Sequence, residues 1–399
     1  KSRWGRRRPY IVIGAILSGA IFAFMWQIDP EWSQQYTFWY ILLCSLAFTI
    51  GNTMFATPFV GLGYEMTSDY NERTRLMAFS QFMGQIAWMI VPWFWVLIAD
   101  PDLFSSQAEG VQTLSLYVAA GCIALGLIPG LFCKGIDSDN IENRAEISFG
   151  TIWVNLVGVC KNIVQTFQNK SFVKLCAATF LIFNGFQLVA SFSYFIIVFH
   201  MFGGDYGATG TWPAWFATMS AVVTAVLVIP VVSWMANKWG KRNAFIISTL
   251  LSVVGYCLKW YGFNPDNPWL IFMPIPFMSF GIGGLFTLMM SMTADVCDLD
   301  ELNNGMPRKE GTFGAIYWLM VKLGMALALV LGGVVLKVVG FDPGSAVQSV
   351  ETLTNLRIAD IVIPATTALL AVVVMWNYDL SEDKAKEVKE QLISRRGEI

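Results

Sequence analysis

Apolar runs of about 20 residues, the length that crosses a ~30 Å hydrocarbon layer, follow one another along almost the whole chain, separated by short polar connections. Ten such runs are legible, at 9–28, 36–62, 76–99, 111–133, 171–201, 212–236, 244–263, 269–294, 311–339 and 358–378. Trp and Tyr gather near their ends, among them Trp32, Trp39, Trp212, Trp269 and Trp376, as aromatic side chains do at a membrane–water interface. The pattern predicts an all-α polytopic membrane protein.

Charge in the connections predicts orientation. Lys and Arg concentrate in alternate connections: 1–8, Arg73 and Arg75, 134–174, 238–242, Arg308 with Lys309, and the tail from Lys384 to Arg396. The intervening turns, 29–35, 100–110, 203–210 and 264–268, carry acids and almost no bases. Only the connection near Lys337 and Arg357 breaks the alternation. The positive-inside rule then places the basic connections and both ends of the chain in the cytoplasm. The opening basic stretch followed by apolar residues is not a signal peptide, because the run is too long and no small-residue cleavage site follows.

The opening phrase SRWGRRRPYIVIG (2–14) returns as NKWGKRNAFIIS (237–248). Two runs of its own half precede the second copy and four follow it, whereas four follow the first copy and none precedes it. Two six-helix halves on a long connection resemble the parallel repeat of a major-facilitator transporter, whose substrate site lies between the halves near the bilayer midplane. On that pattern the chain holds ten of an expected twelve transmembrane helices, the first two missing before Lys1. The expected divisions are an N-terminal half at 1–133 with four of its six helices, a central cytoplasmic connection at 134–170, a six-helix C-terminal half at 171–379, and a cytoplasmic tail at 380–399 that begins Ser-Glu-Asp and reads as a capped helix.

Four stretches sharpen the likeness: RWGRRRP (3–9), PFVGLGYEMTSDYNERTRL (58–76), NKWGKRN (237–243), and ADVCDLDELNNGMPRKEG (294–311) running on to Lys322. By these the chain resembles the glycoside–pentoside–hexuronide:cation symporters, the melibiose-carrier-like branch of the major facilitator superfamily. The resemblance implies a sugar or glycoside carried with Na⁺ or H⁺, and it implies that the main cation-binding acids lie on the missing helices. It further implies a bacterial plasma membrane, a monomer, and no cofactor or nucleic-acid partner. The superfamily's usual loop acid is replaced by Ser2 and Asn237, an acidic position of melibiose carriers falls near Ala56, and Gln81 stands where an Arg is often found. These departures argue against melibiose itself.

Lys322 is the sharpest candidate. It lies eleven residues beyond Gly311, about 16 Å along a helix, so its ammonium sits near mid-membrane and needs an acid or a polar ligand. Either it serves sugar and cation coupling, as the resemblance implies, or it forms a fixed interhelical ion pair. Trp318, one turn earlier on the same face, offers a surface for a sugar ring or for packing. Asn184, Gln187 and Ser191 recur at i, i+3, i+7 as one polar stripe. Their amides match sugar hydroxyls in donors and acceptors, and helix–helix hydrogen bonding is the other use. Asn52 with Thr53, and Gln81 with Gln85 and Trp88, form comparable stripes in the first half. Lys259 is expected near the outer surface, snorkelling. Glu65, Asp69, Glu72 and Arg73 in one half, and Asp295, Asp298, Arg308 and Glu310 in the other, are candidate parts of a cytoplasmic gate, or simply a solvated charged surface. Gly281, Gly283, Gly284, Gly332 and Gly333 are expected to admit close helix approach.

Composition agrees. Apolar residues make up 55% of the 399 and charged residues 14%, which excludes an ordinary soluble domain. Seven scattered Cys without CxxC spacing and a single His, His200, leave no multi-His metal site. No GxSxG, Walker or HExxH pattern is present, so no enzyme is expected. The competing functions are a carrier of the same fold for an amphipathic lipid such as a lysophospholipid, and a sugar sensor without flux.

Overall fold

The computed structural model describes residues 7–65, 83–84, 86–98, 100, 102–133, 166–304, 310–345, 347–380 and 382–396. Every regular element among them is helical. In chain order these are α1 (Arg8–Met25), α2 (Gln34–Glu65), α3 (Ile86–Ile98), α4 (Gln107–Phe132), α5 (Lys170–Phe195, continued by a π turn at Ile196–Met201), α6 (212–239), α7 (Lys241–Gly262), α8 (Ile275–Asn304), α9 (Glu310–Val338), α10 (Val350–Trp376) and α11 (Glu382–Arg396). Among the described residues nine helices, α1, α2 and α4 to α10, are long and apolar enough to cross a membrane. The expected third run, 76–99, lies partly outside the described residues, and its described part forms the shorter α3.

Side chains at the helix starts take up backbone N–H groups that have no intrahelical acceptor. Ser106 accepts from the Glu109 N–H, Asn169 from Phe172, and Ser349 from Thr352. The Glu109 carboxylate accepts from the Ser105 N–H, one residue before the cap, and so takes up a further donor at the start of α4.

The chain divides into two units, Lys1–Glu146 and Ile147–Ile399. In the first, α1 packs against α2 and α4. Lipid gives helices no hydrophobic reason to associate, so close approach at small residues does that work. A Cβ at Gly14 would lie 2.5 Å from the Phe55 backbone N, and one at Gly130 would lie 2.6 Å from Val12 Cγ2. Gln27 donates to the Gln112 carbonyl while Gln112 donates to that of Ile28, tying the end of α1 to the start of α4.

In the second unit α5 is central, packed against α8, α9 and α10, while α7 packs against α8 and α10. A Cβ at Gly255 would sit 2.2 Å from the Met278 backbone N and 2.7 Å from its Cα. Across the same α7–α8 seam Gly281 and Gly284 face Ser252 and Ser248, and Gly283 faces Val228 and Thr224 in a π turn of α6. Gly332 and Gly333 do not share this use. A Cβ at the first would reach Leu188 only at an ordinary 3.7 Å, and one at the second would meet open space. The tail helix α11 packs on α8 with Val388 and Leu392 buried. Gly255→Val is expected to lower stability by about 1–3 kcal/mol through overpacking, because backbone cannot yield as a side chain can. Thermal unfolding in detergent reads this, with Gly333→Ala as the neutral comparison.

Candidate functional site

The polar stripe of α5 lies against α9. Asn184 is buried, and its amide donates to the Gly324 carbonyl at 3.4 Å, two residues beyond Lys322. That is the interhelical bond weighed beside sugar binding. Gly324 makes the approach possible, since a Cβ there would fall 2.7 Å from the Phe180 carbonyl oxygen. Gln187 and Ser191 are half-buried, with Ser191 Oγ donating to the Gln187 carbonyl at 3.0 Å. On α9, Trp318 and Lys322 follow at i, i+4 and both are exposed. Among the described residues no carboxylate pairs with Lys322. Further along α5 and α9, Phe195, Gly333, Leu336, Lys337, Phe341 and Pro343 line a cavity of about 380 Å³.

In the first unit Asn52 and Thr53 are exposed on α2, and Thr53 is spent on the Thr49 carbonyl. Thr49, Thr53 and Thr57 form one row along a groove of about 460 Å³ that also touches Tyr10 and Pro58. Trp88 on α3 is exposed. Gln81 and Gln85 lie outside the described residues. So do Asp69, Glu72, Arg73 and Arg308 among the gate candidates, as well as the side chains of Glu65 and Glu310.

Two gate candidates can be placed. Asp295 on α8 pairs with Lys241 at the start of α7 at 2.6 Å, within one unit, and Asp298 is half-buried a turn further on. Nearby, Lys174 donates to the Asn377 carbonyl and Arg242 to that of Trp376. These two cations cap the free carbonyls at the end of α10. Lys174 also pairs with Asp379 at 2.8 Å, and its hydrogen bond holds that carboxyl below the usual range. Asp295→Asn is expected to change thermal stability by less than ~1 kcal/mol, because the pair is partly exposed. If Asp295 belongs to a gate, the same variant shifts inside-against-outside accessibility labelling, and unchanged labelling removes it from that role. Among the described residues no group of three His, Cys, Asp or Glu converges as metal ligands do.

Lys259 requires a correction. It does not snorkel but is wholly buried (0% exposed), paired with Asp360 (1% exposed), and its ammonium donates to Ser193 Oγ at 3.0 Å. The face of α7 that carries it points at α5 and α10, and the Phe263 ring covers the ammonium at 5.1 Å. A signal for this was present in the sequence. Asp360 lies inside an apolar run, and an acid there calls for a base at similar depth.

Among the described residues, nine helices long and apolar enough to cross a membrane place the chain among multi-pass membrane proteins, and its relatives make it a transporter rather than an enzyme. The chain belongs to the family of MFS/sugar transport proteins, whose model matches residues 1–382. That agrees with the resemblance to glycoside–pentoside–hexuronide:cation symporters carried by the basic-loop motifs. The chain is 24% identical to an uncharacterised symporter of Synechocystis sp., over 99% of this chain and 85% of that protein. It is 23% identical to a glucuronide carrier protein homologue of Escherichia coli (strain K12), over 99% and 82%. Its fold is similar to the crystal structure of a bacterial homologue of the human lysosomal transporter Spinster in an inward-facing, occupied conformation, with TM-score 0.60 and 16% identity over 96% of this chain and 84% of that one.

Proposed function

We propose that the protein is a cation-coupled symporter that carries a sugar, glycoside or uronide with Na⁺ or H⁺ by alternating access, as a monomer in the bacterial plasma membrane. Both ends of the described chain then lie on the cytoplasmic side, where the positive-inside rule puts them. One observation carries the reading: Lys322 sits in the middle of an apolar span, exposed beside Trp318, with no carboxylate partner among the described residues. An ammonium at that depth is retained for a ligand, and Trp318 supplies a flat apolar face for the C–H side of a sugar ring. Gln187 and Ser191 on the adjoining α5 add donors and acceptors for hydroxyls. The family description and the name of the glucuronide carrier homologue support a sugar over an amphipathic lipid, and the relative named a symporter supports cation coupling. The test is uptake of a labelled glycoside and uronide panel into proteoliposomes holding the full-length protein. At least one member is expected to enter, insensitive to lysophospholipid. Binding without flux would favour a sensor, and neither binding nor flux with folded protein would refute the proposal.

A further inference from the structure

Lys259, Asp360 and Ser193 come from α7, α10 and α5 and meet where neither water nor lipid reaches. Each of α5 and α10 is caught at a place where its own hydrogen-bond ladder is interrupted. On α10, Pro364 follows Asp360 by four residues and has no N–H for the Asp360 carbonyl, so that turn lacks an internal bond. On α5, Ser193 lies at the change from α to π winding, where the Ile196 N–H is shared between the Phe192 and Ser193 carbonyls. Helices bend at interruptions of this kind. A buried pair whose partners are costly apart fixes how the two helices meet there.

The bend at Pro364 bears directly on the stripe of Asn184, Gln187 and Ser191. Pro364 and Thr367, one and two turns beyond Asp360, press on α5 at Gly185. A Cβ at Gly185 would lie 2.4 Å from Thr367 Oγ1 and 3.2 Å from Pro364 Cα. Gly185 adjoins Asn184 and precedes Gln187 by two residues. A change of bend at Pro364 therefore moves α5 at the level of Asn184 and Gln187, and with it the Asn184 amide bond to Gly324 on α9.

We infer that Lys259, Asp360 and Ser193 are positioning residues, a buried three-helix tie that holds the proline turn of α10 against Gly185 and so sets where α5 presents Gln187 and Ser191. The inference rests on the proposed sugar site for its functional meaning, although the positioning itself does not.

The test replaces the pair together, Lys259→Met with Asp360→Leu, which leaves neither member of the pair behind, and separately exchanges it, Lys259→Asp with Asp360→Lys. Ser193→Ala is the third variant, cutting the link to α5 while keeping the ion pair. The readout is the maleimide labelling rate of a cysteine introduced by Gln187→Cys, in full-length protein whose native cysteines are replaced. Apolar replacement is expected to change that rate by about threefold or more, as coupled neighbours do, with Ser193→Ala changing it in the same direction and the exchanged pair returning toward the parent. In uptake, the apolar pair raises KM for the transported sugar more than it lowers the maximal rate. A labelling rate that stays at the parent value in both the apolar pair and Ser193→Ala overturns the inference, since a merely space-filling pair would leave Gln187 where it was. Labelling needs no sugar flux. Uptake is measured in protein that keeps Gln187, and failure of the transport reading would appear there as absent uptake with the labelling pattern of the cysteine variants intact.

Discussion

Lys322→Ala is expected to reduce gradient-driven sugar uptake by roughly 10- to 150-fold while leaving the amount of folded, inserted protein near that of the parent. The magnitude follows from losing a charged hydrogen bond, about 1.5–3 kcal/mol, at about 1.4 kcal/mol per tenfold. The fold should tolerate the change because Lys322 is exposed and, among the described residues, leaves no carboxylate behind. Lys322→Arg keeps the charge but not the compact ammonium, and it is expected to fall between the two. Initial uptake rates measured beside thermal unfolding separate a transport defect from a folding defect. Equal loss of folded protein and uptake would make Lys322 a structural residue.

Asp360→Ala should show the opposite pattern, with loss of folded protein first. It leaves the Lys259 ammonium buried without a counter-charge beside it, held only by a hydrogen bond to Ser193 Oγ and the face of the Phe263 ring. Breaking a buried pair from one side costs about 3–5 kcal/mol, a large share of the 5–15 kcal/mol by which a typical protein is stable. A shift of the unfolding midpoint in detergent, or lost insertion, checks this. Removing both charges should recover most of the loss, since a buried pair gains little over apolar replacements. The partly exposed Lys241–Asp295 pair has similar geometry and is expected to contribute far less. Depth decides the difference, not distance.

Spans were readable from the chain because length and apolarity are local properties. The apolar runs correspond to α1, α2 and α4 to α10, and the described part of the run at 76–99 to α3. Close approach at Gly281, Gly283 and Gly284 was readable for the same reason, whereas Gly332 and Gly333 show that a small residue states only what is allowed. What it meets depends on which way its helix is turned. Lys259 escaped because its partner lies about a hundred positions further on, and periodicity along one helix says nothing about pairing across three. The π turns differ in this respect: Ile196–Met201 is apolar but for His200 and left little local mark, whereas Thr224–Val228 runs up to Pro230, whose missing N–H was a mark in the sequence. In the candidate site, the polar stripe of α5 was legible as 3.6-residue spacing. That Asn184 faces Gly324 while Gln187 and Ser191 stay half-open depends on how α9 packs.

On the proposed function, a cation gradient drives sugar through this protein. The most direct measurement loads proteoliposomes with the full-length protein, imposes an inward Na⁺ or H⁺ gradient, and follows a transported glycoside or uronide together with the ion. Sugar is expected to accumulate above its outside concentration, the ion to enter with it, and an ionophore collapsing the gradient to abolish accumulation. Sugar that merely equilibrates, indifferent to either gradient and to the ionophore, would contradict it.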